Sequence, residues 1–394
     1  MKNLLFTVLL TSLLTLVACS KHSDSDTSQP QPYPPSGPVE FTLFMYMPWS
    51  QNLTSDLQRN LSDMQTALGT AHMPGKRVVA FISTSATEAQ MIEITSGKRT
   101  ILKTYTSPQL TTAQGIASIL EDVKAMAPAQ RFGMTIGCHG TGWLPVGALE
   151  IYPAHSPLSF SAQKIALPVT RYFGGYDIQW QTDVSALAEA LEATSTHLDF
   201  LLFDVCYMGC VEVAYQLRNV ADVTVLSPTE IMGIGMPYNT LGTLLLEDNI
   251  NWQLFCDRYH HFFSTYTYPY GTISVIDNHS LDALADAMKQ LNASYNWTPG
   301  SLSELQAFGG FYGENIYFDL GQYAQLLSHG SCNDFTAALG HAVVASAHTP
   351  SCYIFQYGTL PINHYSGLST SAPSTSRFTS AWHSTQWAID TQNQ

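Results

Sequence analysis

Short runs of apolar residues alternate along this chain with segments in which apolar residues recur every three or four positions. Six of the runs are predicted to be strands: 41–47, 78–83, 132–137, 198–204, 223–227 and 272–277. Four periodic segments are predicted to be helices: 53–68, 112–126, 183–193 and 210–217. Because the strand runs are continuously apolar, both faces of each strand should be covered, as in a parallel sheet. The alternation therefore predicts an α/β fold with a mainly parallel central sheet.

The pattern changes in two later parts of the chain. Residues 144–181 are rich in Pro, Gly, Ser and Tyr without sustained periodicity, which predicts a long excursion between two strands near the functional site. Beyond about residue 250 helical periodicity dominates, with helices predicted at 281–291, 320–327 and 335–347. We therefore expect a core over residues 40–250 and a helix-rich C-terminal region over 251–394 packed on that core.

The first nineteen residues are predicted to be a lipoprotein signal peptide. Lys2 supplies a positive charge, and the apolar run at 4–17 is too short to form a stable membrane span. The run closes with Leu-Val-Ala-Cys, the pattern of a bacterial lipobox in which Cys19 would be acylated. The alternative is a cleaved secretory signal in which the cysteine is coincidental.

Residues 20–39 are predicted to be a flexible tether between the lipid and the folded part. They hold serines, acidic residues and five prolines, and so cannot bury enough apolar surface to fold. The chain is thus expected to be exported and anchored by lipid to the bacterial cell envelope, at the outer membrane or the cell surface. No other stretch reaches the length needed to span a membrane.

Charge and cysteine content exclude some classes of function. The chain has 30 acidic and 16 basic residues, for a formal net charge of −14. Nucleic acid is therefore not an expected partner, because its phosphates bind basic surfaces. Six cysteines remain besides Cys19, an even count that permits disulfides in an exported chain. No Cys-x-x-Cys spacing indicates a metal site.

Two of the predicted strands are followed directly by reactive residues, His139 and Cys206. Sites in such sheets gather at the carboxyl ends of the strands. If the two strands are neighbours, the imidazole can lower the pKa of the thiol or move its proton, as a cysteine nucleophile requires. The amides of Gly140 and Cys206 could then stabilise an oxyanion. The alternative is a buried small hydrophobe and a histidine in a turn.

The segments around these residues resemble the two signature segments of the clostripain family of cysteine peptidases. His-Gly-Thr-Gly-Trp at 139–143 is similar to the family's His-Gly-Ser-Gly-Trp segment. Six positions match the family's Asp-x-Cys-x-Met-x-x-x-Glu-x-Ala-Tyr pattern: Asp204, Cys206, Met208, Glu212, Ala214 and Tyr215. Weaker likenesses extend from about residue 40 to about residue 390.

The resemblance implies a fold, an activity and a class of substrate. The fold would be a caspase-like three-layer α/β sandwich. The activity would be cleavage of proteins or peptides after Arg or Lys, by a Cys–His dyad and an acyl-enzyme. The chemistry would need no cofactor. Calcium dependence occurs in the family, but no calcium ligands can be named in this chain.

Asp204 bears on the expected specificity. It lies two residues before Cys206, so in an extended strand both side chains point the same way. Its carboxylate could receive the basic side chain of a substrate. The alternative is that Asp204 caps the following helix. Glu230 is the candidate for a second acidic residue in such a pocket.

Members of the family often activate themselves by cutting the chain between the two signature segments. Lys164 and Arg171 lie in this interval and are the candidate cleavage points. The alternative is that both are solvated basic residues of a loop.

The chain also departs from the family pattern. Ser50 and Gln51 stand where an Asp-Asn pair is usual, and Met236 stands where a Trp is common. These departures leave open an alternative function of a different class, a catalytically silent lipid-anchored binding protein that keeps the caspase-like fold, although the preserved cysteine and histidine argue against it.

Overall fold

Strands account for much of the computed structural model, which describes residues 38–71, 73–149, 174–355 and 357–392. The strands are, in chain order, β1 (Val39–Met47), β2 (Lys76–Ser83), β3 (Glu88–Ile94), β4 (Arg99–Thr106), β5 (Ala129–Gly137), β6 (Leu198–Asp204), β7 (Ala221–Leu226), β8 (Thr272–Asp277), β9 (Ala307–Phe311), β10 (Glu314–Asp319), β11 (Val343–His348), β12 (Ser351–Ile354), β13 (Gly358–Pro361) and β14 (Ser369–Thr370). The predicted signal peptide, with Cys19, and the tether up to residue 37 lie outside the described residues.

Helices connect these strands. They are α1 (Thr54–Thr70), α2 (Ala113–Met126), α3 (Val184–Ala193), α4 (Val211–Gln216), α5 (Tyr238–Leu241), α6 (Trp252–Thr265), α7 (Leu281–Ser294), α8 (Leu320–Leu327), α9 (Asn333–Ala342), α10 (Thr379–Trp382) and α11 (Gln386–Thr391). In the part of the chain that the structure describes, no helix combines the length and the apolar character that a membrane span requires.

Nine strands form the central sheet, in the order β11-β8-β7-β6-β5-β1-β2-β3-β4. The five inner strands from β7 to β2 run parallel, and the outer strands pair antiparallel. Helices α1, α5 and α6 pack together, and α2, α3, α4 and α7 form a second set. Two helix layers around a mainly parallel sheet confirm the predicted three-layer α/β fold.

Strand β6 shows why continuously apolar runs occupy the middle of this sheet. Its residues Phe200 to Phe203 are fully buried, because a helix layer covers each face of the sheet. Burying one such side chain stabilises the fold by about 1.5–3 kcal/mol. The strand that leads to Cys206 is therefore held firmly on both faces.

Two of the predicted elements were wrong in part. The helix predicted at 335–347 ends at Ala342, and Val343–His348 forms β11, which pairs antiparallel with β8. The valines and alanines of this stretch fit both the helical and the strand periodicity. The stretch forms a strand because the edge of β8 is available for pairing. Strand β8 was expected among the parallel strands, but it pairs antiparallel with β7. Both strands bring the region beyond residue 250 into the central sheet.

Candidate active site

The carboxyl ends of β5 and β6 carry the two reactive residues. These strands are parallel neighbours, and their register places Gly137 opposite Asp204. His139 and Cys206 each lie two residues beyond this pair, at the same edge of the sheet. Both side chains are fully buried. The adjacency on which thiol chemistry depends is therefore present in the fold.

The Cys206 thiol is held against the segment that follows β7. The Ile231 N–H donates to Sγ at 3.2 Å, and the Ile231 carbonyl lies 3.7 Å from Sγ. An amide donor at the sulfur favours the thiolate. The next residue, Tyr207, has a φ of 58°, a conformation that is costly for a non-glycine residue and is often found at functional sites. The Tyr207 N–H donates to the Thr229 carbonyl at 3.0 Å, which fixes this turn.

His139 has a side-chain partner that sequence reasoning did not assign. Its Nε2 lies 2.8 Å from Oδ1 of Asn52. Asn52 belongs to a short 3-10 helix, Gln51–Leu53, that connects β1 to α1. The signal that points to this residue is positional, because β1 is the other neighbour of β5 and residue 52 follows its carboxyl end.

A short segment, residues 174–181, lies over His139 and is called the strap here. The Tyr176 ring lies against the imidazole with 4.4 Å between ring centroids and with the two ring planes tilted by 39°. The backbone N–H of His139 donates to the Gly174 carbonyl at 3.3 Å. Tyr176 is 46% exposed, whereas the imidazole beneath it is fully buried. The strap therefore separates one face of the histidine from solvent.

Gln51 fastens this strap. Its Oε1 accepts from the Tyr176 N–H at 2.8 Å, and its Nε2 donates to the Asp177 carboxylate at 3.0 Å. Gln181 adds a hydrogen bond from Nε2 to the Tyr176 carbonyl at 2.9 Å. Gln51, one of the residues that depart from the family pattern, thus makes specific hydrogen bonds to the strap in this structure.

Asp204 and Glu230 both adjoin the nucleophile. Asp204 is fully buried, and its Oδ1 accepts from the Met236 N–H at 3.0 Å. Helix α4 has Cys210 at its N-cap, so the alternative that Asp204 caps this helix was wrong. Glu230 directly precedes Ile231, whose amide meets Sγ. Asp204 contacts only the backbone N–H of Met236. The presence of Met instead of the family's common Trp at position 236 therefore leaves this hydrogen bond intact.

Tyrosines and a backbone amide surround Glu230. Its Oε1 accepts from the Tyr207 hydroxyl and from the Phe355 N–H, each at 2.8 Å. Burial, reinforced by the Glu230 charge, raises the Tyr207 pKa well above its ordinary value. This phenol therefore stays protonated and acts as a donor. Burial also raises the Tyr176 pKa, and a hydrogen bond with Asn52 opposes that effect.

The second signature segment is tied to a stretch near the C-terminus, residues 369–382, called the clasp here. Glu212 Oε1 accepts from Thr370 Oγ1 at 3.0 Å, from the Ser371 N–H at 2.9 Å and from Trp382 Nε1 at 2.7 Å. Trp143 Nε1 donates to Ser371 Oγ at 2.8 Å. Trp143 and Glu212, one from each signature segment, thus lock the clasp beneath the catalytic edge.

Neither a metal-binding cluster nor a disulfide is present among the described residues. These residues contain no group of three or more His, Cys, Asp or Glu side chains suited to a metal ion. The six cysteines in this part of the chain are buried, and none of them forms a disulfide with another described residue. Burial raises the pKa of the Cys210 thiol well above its ordinary value, so this cysteine is unreactive.

Comparisons with known proteins identify the family. The model of the clostripain family matches residues 160–360. The chain is 37% identical to iotapain, a secreted C11 cysteine protease from Bacteroides thetaiotaomicron, over 90% of this chain and 100% of that one, with a TM-score of 0.83. The chain belongs to the clostripain family. It is accordingly a cysteine peptidase. A search of curated proteins found no match.

The chain is also similar to two further solved members of the clostripain family. An inactive zymogen C11 protease from Parabacteroides distasonis is 25% identical over 90% of this chain and 99% of that one, with a TM-score of 0.75. A clostripain from B. thetaiotaomicron, in complex with the peptide inhibitor BTN-VLTK-AOMK, is 36% identical over 57% of this chain and 100% of that one, with a TM-score of 0.55.

The structure describes some of the other predicted site residues and not others. Gly140 is buried directly after His139, at the same sheet edge as Cys206. Its predicted role in an oxyanion hole, and the pocket roles of Asp204 and Glu230, stay predictions. Lys164 and Arg171 lie outside the described residues.

Proposed function

We propose that this clostripain-family peptidase cleaves after Arg or Lys through a dyad of His139 and Cys206. The observation that carries the proposal is the register of β5 and β6, which brings both residues to one sheet edge. The thiol proton moves to His139, and Sγ attacks the substrate carbonyl carbon. The amides of Gly140 and Cys206 stabilise the oxyanion.

The rest of the cycle regenerates the thiol. The amine leaves with the proton that the imidazolium returns, and a thioester remains on Cys206. His139 then takes a proton from water, and the hydroxide adds to the thioester carbonyl. The C–S bond breaks, the carboxylic acid departs and Sγ regains its proton. No cofactor enters this sequence.

Two buried carboxylates support a preference for a basic side chain. Asp204 and Glu230 flank Cys206, and both carboxylates are buried. The guanidinium or ammonium group of a substrate would carry the opposite charge and would donate hydrogen bonds to carboxylates at this position. The inhibitor bound to the B. thetaiotaomicron clostripain carries Lys directly before its AOMK group. We therefore assign the pocket for the basic residue to Asp204 and Glu230.

Asp204→Asn tests this pocket. Losing one hydrogen bond to a charged group costs about 1.5–3 kcal/mol, which corresponds to a fall of about 10- to 100-fold in kcat/KM for Arg peptides. Asp199→Asn, at the opposite end of β6, is the matched control because its carboxylate binds Arg131. Equal losses in both variants would contradict the assignment.

The enzyme is proposed to be latent until it is cut. Cys206 and His139 are fully buried, and Gln51 holds the strap over the histidine. Lys164 and Arg171 precede the strap, so cleavage at either would release its N-terminal side. If the Cys206→Ala protein were nicked as fast as the wild type when incubated alone, self-cleavage would be wrong. Lys164→Gln combined with Arg171→Gln should remain uncut and latent.

Export and lipid anchoring at Cys19 complete the proposal, and they place the peptidase on the cell envelope with protein or peptide substrates. The supporting observation is the lipobox, which is followed by a Pro-rich tether. Metabolic labelling with a fatty-acid analogue should mark the wild type and leave Cys19→Ser unlabelled. Equal labelling of both would contradict the anchor.

Hydrolysis of short fluorogenic peptides tests the activity directly. Peptides with Arg, Lys, Ala or Asp before the scissile bond are compared on residues 20–394, with Cys206→Ala and His139→Ala beside it, before and after trypsin nicking. Cleavage after Arg or Lys that vanishes in both variants is expected. Cleavage after another residue would keep the dyad and overturn the specificity. No turnover after nicking would revive the silent binding protein.

A further inference from the structure

Asn52 makes a side-chain contact with the imidazole of His139. The contact joins Nε2 and Oδ1 at 2.8 Å. We propose that Asn52 is a positioning residue that holds His139 in the tautomer with its hydrogen on Nε2, so that Nδ1 is the atom that accepts the Cys206 proton. This inference rests on the proposed function only for its catalytic consequence, because the tautomer itself can be measured without turnover.

The donor and acceptor chemistry of the two groups leads to this assignment. An amide oxygen carries no hydrogen, so the hydrogen between the two atoms belongs to Nε2. A neutral imidazole with its hydrogen on Nε2 has its free lone pair on Nδ1. After proton transfer the imidazolium still donates from Nε2 to Asn52. One hydrogen bond therefore serves both protonation states of His139.

Tyr176 supports the orientation of the Asn52 amide. A hydrogen bond with Asn52 opposes the rise of the Tyr176 pKa that burial causes. Oδ1 of Asn52 faces Nε2 of His139 at 2.8 Å, which leaves the NH2 group of the amide to donate to the tyrosine hydroxyl.

The backbone of Asn52 is fixed by buried neighbours, although its side chain reaches the surface. Leu53 is fully buried, and its N–H donates to the Ser50 carbonyl at 3.2 Å. Ser50 is buried, and its Oγ donates to the Pro48 carbonyl at 2.8 Å. Thr54 Oγ1 donates to the Gln51 carbonyl at 3.0 Å. These contacts hold the 3-10 turn that aims Asn52 at the histidine.

Other titratable groups face this point from three directions. Cys206 approaches from the end of β6, Tyr176 from the strap, and Glu230 from the segment after β7; Cys206 and Glu230 both act electrostatically on Tyr176. The Asp177 carboxylate is held by Gln51. Asn52 is uncharged, so its substitution changes the titration of His139 in a direction that can be stated in advance.

The tautomer is measured by nitrogen NMR of histidine-labelled protein that carries Cys206→Ala, which removes both turnover and self-cleavage. We expect His139 to hold its hydrogen on Nε2 when Asn52 is present and to populate the Nδ1–H form in Asn52→Ala. Asn239→Ala, at an exposed asparagine of α5, is the control and should keep the Nε2–H form. An Nδ1–H form with Asn52 intact, or an unchanged tautomer in Asn52→Ala, would overturn the proposal.

Kinetics give the second readout. Asn52→Ala should lower kcat by about 100-fold, the loss expected from a misplaced catalytic group, with little change in KM. Asn52→Asp keeps an oxygen acceptor and should restore most of kcat. The carboxylate favours the imidazolium, so the alkaline limb of the kcat/KM profile moves to higher pH in Asn52→Asp and to lower pH in Asn52→Ala.

The two readouts separate the possible failures. A rise in KM at unchanged kcat, or limbs that do not move in opposite directions, would contradict a positioning role. Absence of turnover in the wild type would defeat the proposed function, and the NMR measurement would still decide the role of Asn52.

Discussion

The strap over His139 and the clasp beneath the catalytic turn pack on the same sheet edge but are held in different ways. The strap is fastened by the Gln51 side chain through two exposed hydrogen bonds. The clasp is fastened by Glu212 through three buried hydrogen bonds. Buried hydrogen bonds are expensive to break because the groups left behind stay unsatisfied, whereas exposed groups regain water.

This difference predicts that the strap opens at a lower cost in free energy than the clasp. The clasp supports Trp143 from the first signature segment and Glu212 from the second, so the shape of the catalytic edge depends on it. We expect the strap to leave His139 at a smaller cost, because the two side-chain hydrogen bonds from Gln51 are exposed. Low local stability of this kind is typical of segments that open for function.

Removing the anchor of the clasp should have the largest effect. Glu212→Ala leaves Thr370, Ser371 and Trp382 with unsatisfied buried donors, and we expect a loss of about 3–5 kcal/mol in the free energy of unfolding. Urea denaturation followed by tryptophan fluorescence measures it. Glu192→Ala, at an exposed position on α3, is the control and should change stability by less than about 0.5 kcal/mol. Similar values for the two would refute the clasp as a structural lock.

Trp143→Phe removes a single bond of the same lock. It deletes the Nε1 donor to Ser371 and should cost about 1–2 kcal/mol of unfolding free energy. Trp297→Phe is the matched control, because Trp297 Nε1 has no hydrogen-bond partner among the residues that the structure describes. The same denaturation experiment applies. A loss in Trp143→Phe no greater than in Trp297→Phe would mean that the hydrogen bond contributes nothing.

Gln51→Ala loosens the strap. Losing its two exposed hydrogen bonds should shift the opening of the strap by about 1.4 kcal/mol, or about tenfold. The rate at which an Arg-containing thiol-reactive peptide labels Cys206 in uncut protein should rise accordingly, with global stability nearly unchanged. Gln114→Ala, at an exposed position on α2, serves as the control. Unchanged labelling in Gln51→Ala would show that the strap does not limit access.

The smallest expected effect concerns the ion pair that joins Arg377 of the clasp to Glu314 of β10. Arg377 donates to Glu314 at 2.8 Å and lowers the pKa of that carboxyl below its ordinary value of 4.5. A lowered pKa contributes stability above pH 4.5 that is lost as pH falls through the folded-state value. Because the pair is partly exposed, Glu314→Gln should reduce this pH dependence by less than about 1 kcal/mol. Denaturation from pH 7 to pH 3 measures it, and a steeper dependence in the variant would contradict the sign.

The sequence predicted the inner strands well and the outer elements less well. The inner strand β6 has the predicted bounds, because a continuously apolar run between polar residues is typical of a strand that is covered on both faces, and the outer strand β8 has its predicted bounds for the same reason. The hairpin of β3 and β4 was not predicted, since β4 alternates exposed and half-buried residues. The residues at 343–347 fit either period, and only the free edge of β8 decided between them.

The candidate site divides in the same way. His139, Cys206 and Asp204 follow apolar runs, so their place at strand ends could be predicted from the chain alone. Asn52 and Gln51 are polar residues in an irregular connection, where no periodicity marks a role. Their contacts with His139 and the strap join residues more than 80 positions apart.

The amino-acid sequence by itself determined the α/β fold class, the two strand ends that carry His139 and Cys206, and the family to which this peptidase belongs, because apolar patterning and local motifs are properties of short segments. Only the tertiary structure decided that Asn52 meets the histidine, that Gln51 fastens the strap, and that Glu212 holds the clasp. These contacts depend on which strand ends become neighbours, and that order follows from the packing of the whole sheet.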